Sequence, residues 1–197
     1  MFSDIFEQDG IRVIGASEYF DTKLGRTVSD KSLLGIFLKK CFGGFPETID
    51  KQLDAELGNL TATPEPTKVE GKKMCFPIGT CALVKANDDN YLLFALSKVD
   101  PATCKCSSDV ELLWRALHRM WGRARVECGG HPLNLPLIGG GLSGLGLPTR
   151  DLLNLIILSA ITETKAGDIT KVIRLILLRD RADEIDLREV KAYWEKA

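Results

Sequence analysis

Five glycines crowd into the eight residues from Gly139 to Gly146, in the run Gly139-Gly140-Gly141-Leu142-Ser143-Gly144-Leu145-Gly146-Leu147-Pro148. Glycine lets the backbone approach an anion closely and take positive φ, so consecutive amides can converge on phosphate oxygens. The apolar run 133–138 reads as a strand leading into this segment, and a predicted helix from Thr149 leaves it, adding its positive N-terminal end. The carboxyl end of a strand is where open α/β sheets bind ligands. The competing reading is a loop that only turns the chain.

Other chemistries fit less well. Gly139-x-Gly141-x-x-Gly144 matches the dinucleotide fingerprint literally, but that fold needs further βα units and only about fifty residues remain. Nor does an acidic residue end a second strand, since Glu163 falls at the end of the predicted helix itself. No lysine lies between Gly139 and Pro148, which argues against a mononucleotide P-loop. Cys104-Lys105-Cys106 has metal-like spacing without a second ligand pair, so both read as ordinary thiols. His118 and His131 stand near no serine or cysteine nucleophile motif. Glu18 and Asp21 qualify as general bases by residue type alone.

These residues need a scaffold, and the chain is long enough for one. Its 197 residues, 45% hydrophobic and 27% charged, match a single globular domain. A net charge of -1 offers no basic field for nucleic acid. The longest nearly apolar stretch, 152–161, is half of the ~20 residues needed to cross a bilayer. No secretory signal opens the sequence, so the six cysteines read as reduced cytosolic thiols.

Strands are expected at 11–14, 75–85, 91–99, 133–138 and 172–178, the second and third joined as a hairpin through Asn87-Asp88-Asp89-Asn90. Helices are expected at 32–42, 149–163 and 185–196. A further helix runs to about Gly122 from a capping box at Ser108-Asp109-Val110-Glu111, with Val110, Leu113, Trp114, Leu117 and Trp121 as its buried stripe. Arg115, Arg119 and Arg123 read as its solvated face. Residues 46–73 read as a surface insertion, in which Ile49, Leu53 and Leu57 form one helical stripe. The expected architecture is a three-layer α/β/α sandwich with a mixed central sheet.

A glycine loop late in the chain, between a strand and a buried helix, is similar to the diphosphate loop of macro domains. Macro domains commonly open with Gly-Asp-Ile-Thr, and a strand several residues later ends in Asn-Ala-Ala-Asn. Here Ser3-Asp4-Ile5-Phe6 precedes the first strand, and Gly15-Ala16-Ser17-Glu18 takes the place of the second motif. Together with Glu18-Tyr19-Phe20-Asp21-Thr22, Phe76-Pro77-Ile78-Gly79-Thr80 and the glycine run, the chain resembles, over nearly its whole length, the macro domain of Thoeris anti-phage effectors.

In that family a TIR-domain partner converts NAD into an ADP-ribose-derived signal, understood for the macro-bearing branch to be a histidine conjugate of ADP-ribose. The macro domain senses the signal and switches on a linked effector. The resemblance implies that Asp4, with Ile5 beside it, holds adenine, and that the amides of Gly139, Gly140, Gly141, Leu142, Ser143, Gly144, Leu145 and Gly146 hold the diphosphate. Gly15 and Ala16 would line the ligand as part of the second motif, and Ser17, Glu18, Tyr19, Phe20 and Asp21 would face the distal ribose and its substituent. Gly79 and Thr80 would line the same cleft, and Leu147 would replace the aromatic found beside the ribose in many macro domains.

Both asparagines of the second motif are missing, which implies a sensor with no catalytic residue, metal or cofactor. Two alternatives remain, a macro-domain ADP-ribosyl hydrolase and a structural interaction module without ligand. Such effectors usually carry a membrane-spanning segment ahead of the macro domain. The expected place is therefore the cytoplasm, free or as the cytoplasmic domain of a membrane effector, with ligand-driven homo-oligomers as a further implication.

Overall fold

The computed structural model describes residues 1–140 and 145–194. Its elements are β1 (Ile11–Ser17), α1 (Leu33–Phe42), α2 (Glu47–Leu57), β2 (Thr63–Pro64), β3 (Met74–Cys75), β4 (Cys81–Ala86), β5 (Asp89–Val99), β6 (Cys106–Ser107), α3 (Val110–Glu127), β7 (Leu133–Pro136), α4 (Thr149–Thr164), β8 (Ile173–Ile176) and α5 (Leu187–Trp194). The main sheet has the order β4-β5-β1-β7-β8. Strands β5, β1, β7 and β8 are parallel, and β4 runs antiparallel to β5. β6 pairs with the end of β5, while β2 and β3 form a separate ribbon.

The central strands are apolar at nearly every position because both faces of the sheet are covered. Val13, Leu92, Phe94, Leu133 and Leu135 pack with Leu113, Leu117 and Trp121 of α3 and Leu152 and Ile156 of α4. Ile14, Ala16, Leu93 and Ala95 point the other way, toward Phe37 and Leu38 of α1 and Ile49, Leu53 and Leu57 of α2. The result is the expected three-layer sandwich with a mixed sheet.

Local signals explain most element ends. The Ser32 hydroxyl accepts from the Gly35 amide at 3.0 Å and caps α1. Asn87 and Asp88, at φ 50° and 67°, make the left-handed turn that joins β4 to β5. At α3, however, the cap is Asp109, whose carboxylate accepts from the Leu112 amide at 2.7 Å, while the Ser108 hydroxyl donates to the Leu96 carbonyl. The helix passes Gly122 because buried Trp121 and Ala124 anchor it on both sides. Its buried stripe is also rotated from the expected one. Leu112, Ala116 and Met120 lie inside, whereas Val110 and Trp114 are exposed.

Residues 46–73 are more than a surface addition. Ile49 and Leu53 are fully buried, and the Gln52 side chain exchanges two hydrogen bonds with the Lys85 backbone of edge strand β4, at 2.7 and 3.0 Å. Lys68, from the same segment, has no exposed surface. β8 is only half-buried along most of its length, and Leu158 on α4 is exposed, so neither element is as fully covered as its composition suggests. Among the described residues no helix is long and apolar enough to cross a membrane.

Candidate functional site

Parallel strands place their carboxyl ends on one edge of a sheet, and an antiparallel neighbour starts there. Along this edge lie the exits of β5, β1, β7 and β8 and the entry to β4. The loops at that edge carry most of the candidate residues. With strands about 4.8 Å apart, the five span roughly 19 Å.

At the centre, β1 ends in a register shift between Ala16 and Ser17. A bulge of this kind turns the chain out of the ladder and re-aims the residues after it. The Glu18 amide donates to the Ser97 carbonyl at 2.9 Å, and the Phe20 amide to the Ser17 carbonyl at 3.0 Å, so the chain folds back at once. Phe20 is left at φ 51°, an uncommon conformation for a bulky residue. The Ser17 hydroxyl is buried and has no hydrogen-bond partner among the described residues. An unsatisfied buried hydroxyl costs stability, so its retention calls for an explanation such as a functional role.

On one flank, the Gly79 amide donates to the Ala95 carbonyl and the Ala95 amide to the Thr80 carbonyl, both at 2.8 Å. Ala95 pairs in turn with Ala16, which brings Gly79 and Thr80 to the same edge as Gly15 to Ser17. Arg119 stays on the exposed face of α3 as expected, and its side chain lies over Gly79 and donates to the Ile78 carbonyl at 3.0 Å. On the other flank, beyond β7, Gly139 sits at φ 87° with its carbonyl accepting from the Leu145 amide at 3.0 Å. A Cβ on Gly139 would stand 2.5 Å from the Leu145 side chain, so only glycine fits. The expected contacts of Gly141, Leu142, Ser143 and Gly144 lie outside the described residues. Gly140 and Gly146 take their places in the same loop, while Leu145 and Leu147 pack against the core below it.

Asp4 closes the far end. Phe2 bridges Leu177, and the Ser3 amide donates to the Leu177 carbonyl at 3.1 Å, setting Asp4 just beyond the carboxyl end of β8. Its carboxylate accepts from the Phe6 amide at 2.9 Å and lies 3.5 Å from Lys40. The exposed Asp4 leads into a short helix, and Ile5 is buried beneath it.

Several side chains expected to meet a ligand are committed elsewhere. Phe20 is buried and packs edge-on against Phe76, with ring centroids 5.8 Å apart. Ala16 belongs to the core facing α1 and α2, and a Cβ on Gly15 would press on Leu96. Glu18 accepts from the Val99 amide at 3.0 Å. Asp21 forms a buried ion pair with Lys68, at 2.8 Å and 3.1 Å, and accepts from the Lys72 amide at 2.8 Å. Neither carboxylate is placed as a free general base. Tyr19 is buried beneath Lys68, whose ammonium lies 4.5 Å from its ring centre. Burial first, then the neighbouring Cys75 and Glu18, push the Tyr19 phenol upward. Burial and Glu18 raise the Cys75 thiol to about 11.

Lys68 was invisible as a site residue, because Thr67-Lys68-Val69 carries no motif. An open cleft of ≈ 480 Å³ on the α2 side reaches Tyr19 and Phe76 and is lined further by Asp50, Asp54, Lys72 and Lys73. None of Asp4, Gly79, Gly139 or Leu147 lines it. Cys104 is buried and Cys106 exposed, and no group of three metal-ligating side chains occurs among the described residues.

The sequence matches the family described as Thoeris protein ThsA, Macro domain, over residues 1–178. No curated protein sequence matches it. Among solved structures, the chain is similar to a mutant of the Oceanobacillus iheyensis macrodomain, at 13% identity and a TM-score of 0.63, covering 100% of this chain and 92% of that one. The same macrodomain with ADP gives 14% identity and a TM-score of 0.60, covering 100% and 90%. A Trypanosoma brucei macrodomain in complex with ADP-ribose gives 11% and 0.54, covering 89% and 60%. These likenesses establish a common fold.

Proposed function

The chain belongs to the macro-domain family of the Thoeris protein ThsA, and from that premise we propose that it is a non-catalytic sensor of an ADP-ribose-derived nucleotide. The observation that carries the reading is the shared sheet edge. Asp4, the Gly139 loop, the buried unsatisfied Ser17 hydroxyl and the Gly79-Thr80 turn follow one another across β8, β7, β1, β5 and β4. In this reading adenine lies at Asp4, the diphosphate on the amides of residues 139–146, and the distal ribose over Ser17, whose hydroxyl gains the partner it lacks. Two macrodomains of similar fold, one solved with ADP and one in complex with ADP-ribose, support the ligand class.

Sensing without hydrolysis accords with the carboxylates. A general base must reach the proton it abstracts, yet Glu18 and Asp21 are both held by the protein's own donors. The signal is proposed to be histidine-conjugated ADP-ribose, made from NAD by a TIR-domain partner, and its binding to activate an effector in anti-phage defence. Such activation requires that the ligand favour one of two states, and a ligand-driven homo-oligomer is the simplest second state.

Calorimetry with ADP-ribose and with its histidine conjugate, followed by recovery of each ligand after long incubation, tests the proposal. Saturable heat and unchanged ligand support it. Cleavage would make the protein a hydrolase, and no heat with either ligand would leave a structural module.

A further inference from the structure

The loop Ser17 to Thr22 is fastened to the 46–73 segment through a fully buried lysine. Lys68 and Asp21 have side chains 0% and 2% exposed. The ammonium donates to both Asp21 oxygens and to the Glu70 carbonyl at 2.6 Å, and its fourth neighbour is the face of Tyr19. Asp21 also accepts from the Lys72 amide, and Thr22 donates to Asp50 at 2.7 Å. Between the two residues that Lys68 touches stands Phe20, in its left-handed conformation. Such conformations persist only where the surroundings over-determine them. Lys68 thus grips both sides of the strained turn.

We infer that Lys68 is a positioning residue for the ligand edge. Through Asp21 and Tyr19 it fixes the turn that aims Ser17, though it touches no part of the proposed ligand itself. The affinity part of this inference rests on the ADP-ribose reading, whereas the loop geometry does not. Gly71 provides a second handle. It sits at φ 85° with no room for a side chain, since a Cβ there would press on Asp21 and stand 2.7 Å from the Lys68 ammonium.

A buried pair broken on one side destabilises strongly, whereas replacing both charges by apolar groups is often neutral. The test therefore compares Lys68→Met, the double variant Lys68→Met with Asp21→Leu, and Gly71→Ala, by hydrogen exchange and by ADP-ribose titration. A purely structural pair predicts that the double variant recovers stability, loop protection and affinity together. Positioning predicts that the double variant recovers stability while the amides of Glu18 and Phe20, whose acceptors are backbone carbonyls untouched by the substitutions, exchange about tenfold faster than in the native chain and affinity falls about tenfold. Gly71→Ala should show the same local loosening, and decides alone if the lysine variants do not fold. Native exchange at these amides in the folded variants would overturn the inference. Failure of the native protein to bind ADP-ribose would overturn only the functional reading, since the exchange result still decides the role of Lys68.

Discussion

The Leu145 amide donates to the Gly139 carbonyl at 3.0 Å, and the Leu145 side chain fills the space where a Gly139 Cβ would stand. One residue thus closes the glycine loop and plugs the core beneath it. Gly139→Ala meets both the positive φ and the leucine, and strain of this kind costs about 1–3 kcal/mol. Urea unfolding should show that loss, and ADP-ribose binding should disappear in a variant that remains folded. A variant with native stability and native binding would show that the loop tolerates being opened.

Ser17→Ala separates stability from binding. Removing a buried hydroxyl that has no partner leaves nothing newly unsatisfied, so stability should change by less than about 0.5 kcal/mol or rise. Affinity for ADP-ribose should fall about tenfold, the worth of one hydrogen bond in a dry site. A marked loss of stability would mean that the hydroxyl serves the fold instead.

Glu18 is expected to act as a backbone acceptor. Glu18→Gln keeps an oxygen for the Val99 amide and should stay within about 0.5 kcal/mol of the native chain, whereas Glu18→Ala strands that amide at a cost of about 1–3 kcal/mol. Chemical denaturation of the pair measures the difference. Equal losses would remove the hydrogen bond from the account.

Much of the fold could be read from local pattern. The Ser108-Asp109 cap announced one helix to within a residue, Ile49, Leu53 and Leu57 announced another, and Asn87-Asp88 announced the hairpin, because caps, stripes and left-handed turns are properties of neighbouring residues. The α3 stripe was misread at Val110 and Trp114, since the sheet that receives the helix decides its rotation and this lies far away in sequence. The glycine loop was legible for the same reason as the caps. The fate of Asp21 was not, because its partner Lys68 is 47 residues distant and an isolated lysine between Thr67 and Val69 looks like any surface charge.

The 46–73 segment should therefore behave as part of the core. Leu53→Ala, at a fully buried site packed under the sheet, should cost about 2–5 kcal/mol in urea unfolding. A cost near zero would return the segment to the surface.

Alkali should loosen the fold before acid does any comparable work on these thiols. Burial raises Cys75, Cys81 and Cys128 to about 11, 12 and 11 from 9.0. Each binds its proton more tightly when folded, so the stabilisation is complete below the unfolded value and is lost as pH rises through the folded one. The urea midpoint should fall between about pH 9 and about pH 12, and alkylation of the three thiols should follow unfolding. A flat midpoint across that range would contradict the burial of these groups.

Amide NMR during an ADP-ribose titration decides whether one sheet edge holds the ligand. Saturable shifts are expected at Ile5, Gly15 to Glu18, Gly79 and Gly139 to Gly146, with the cleft at Asp54 and Lys73 unaffected. Saturable shifts at that cleft alone, or none anywhere at high ligand concentration, would contradict this placement.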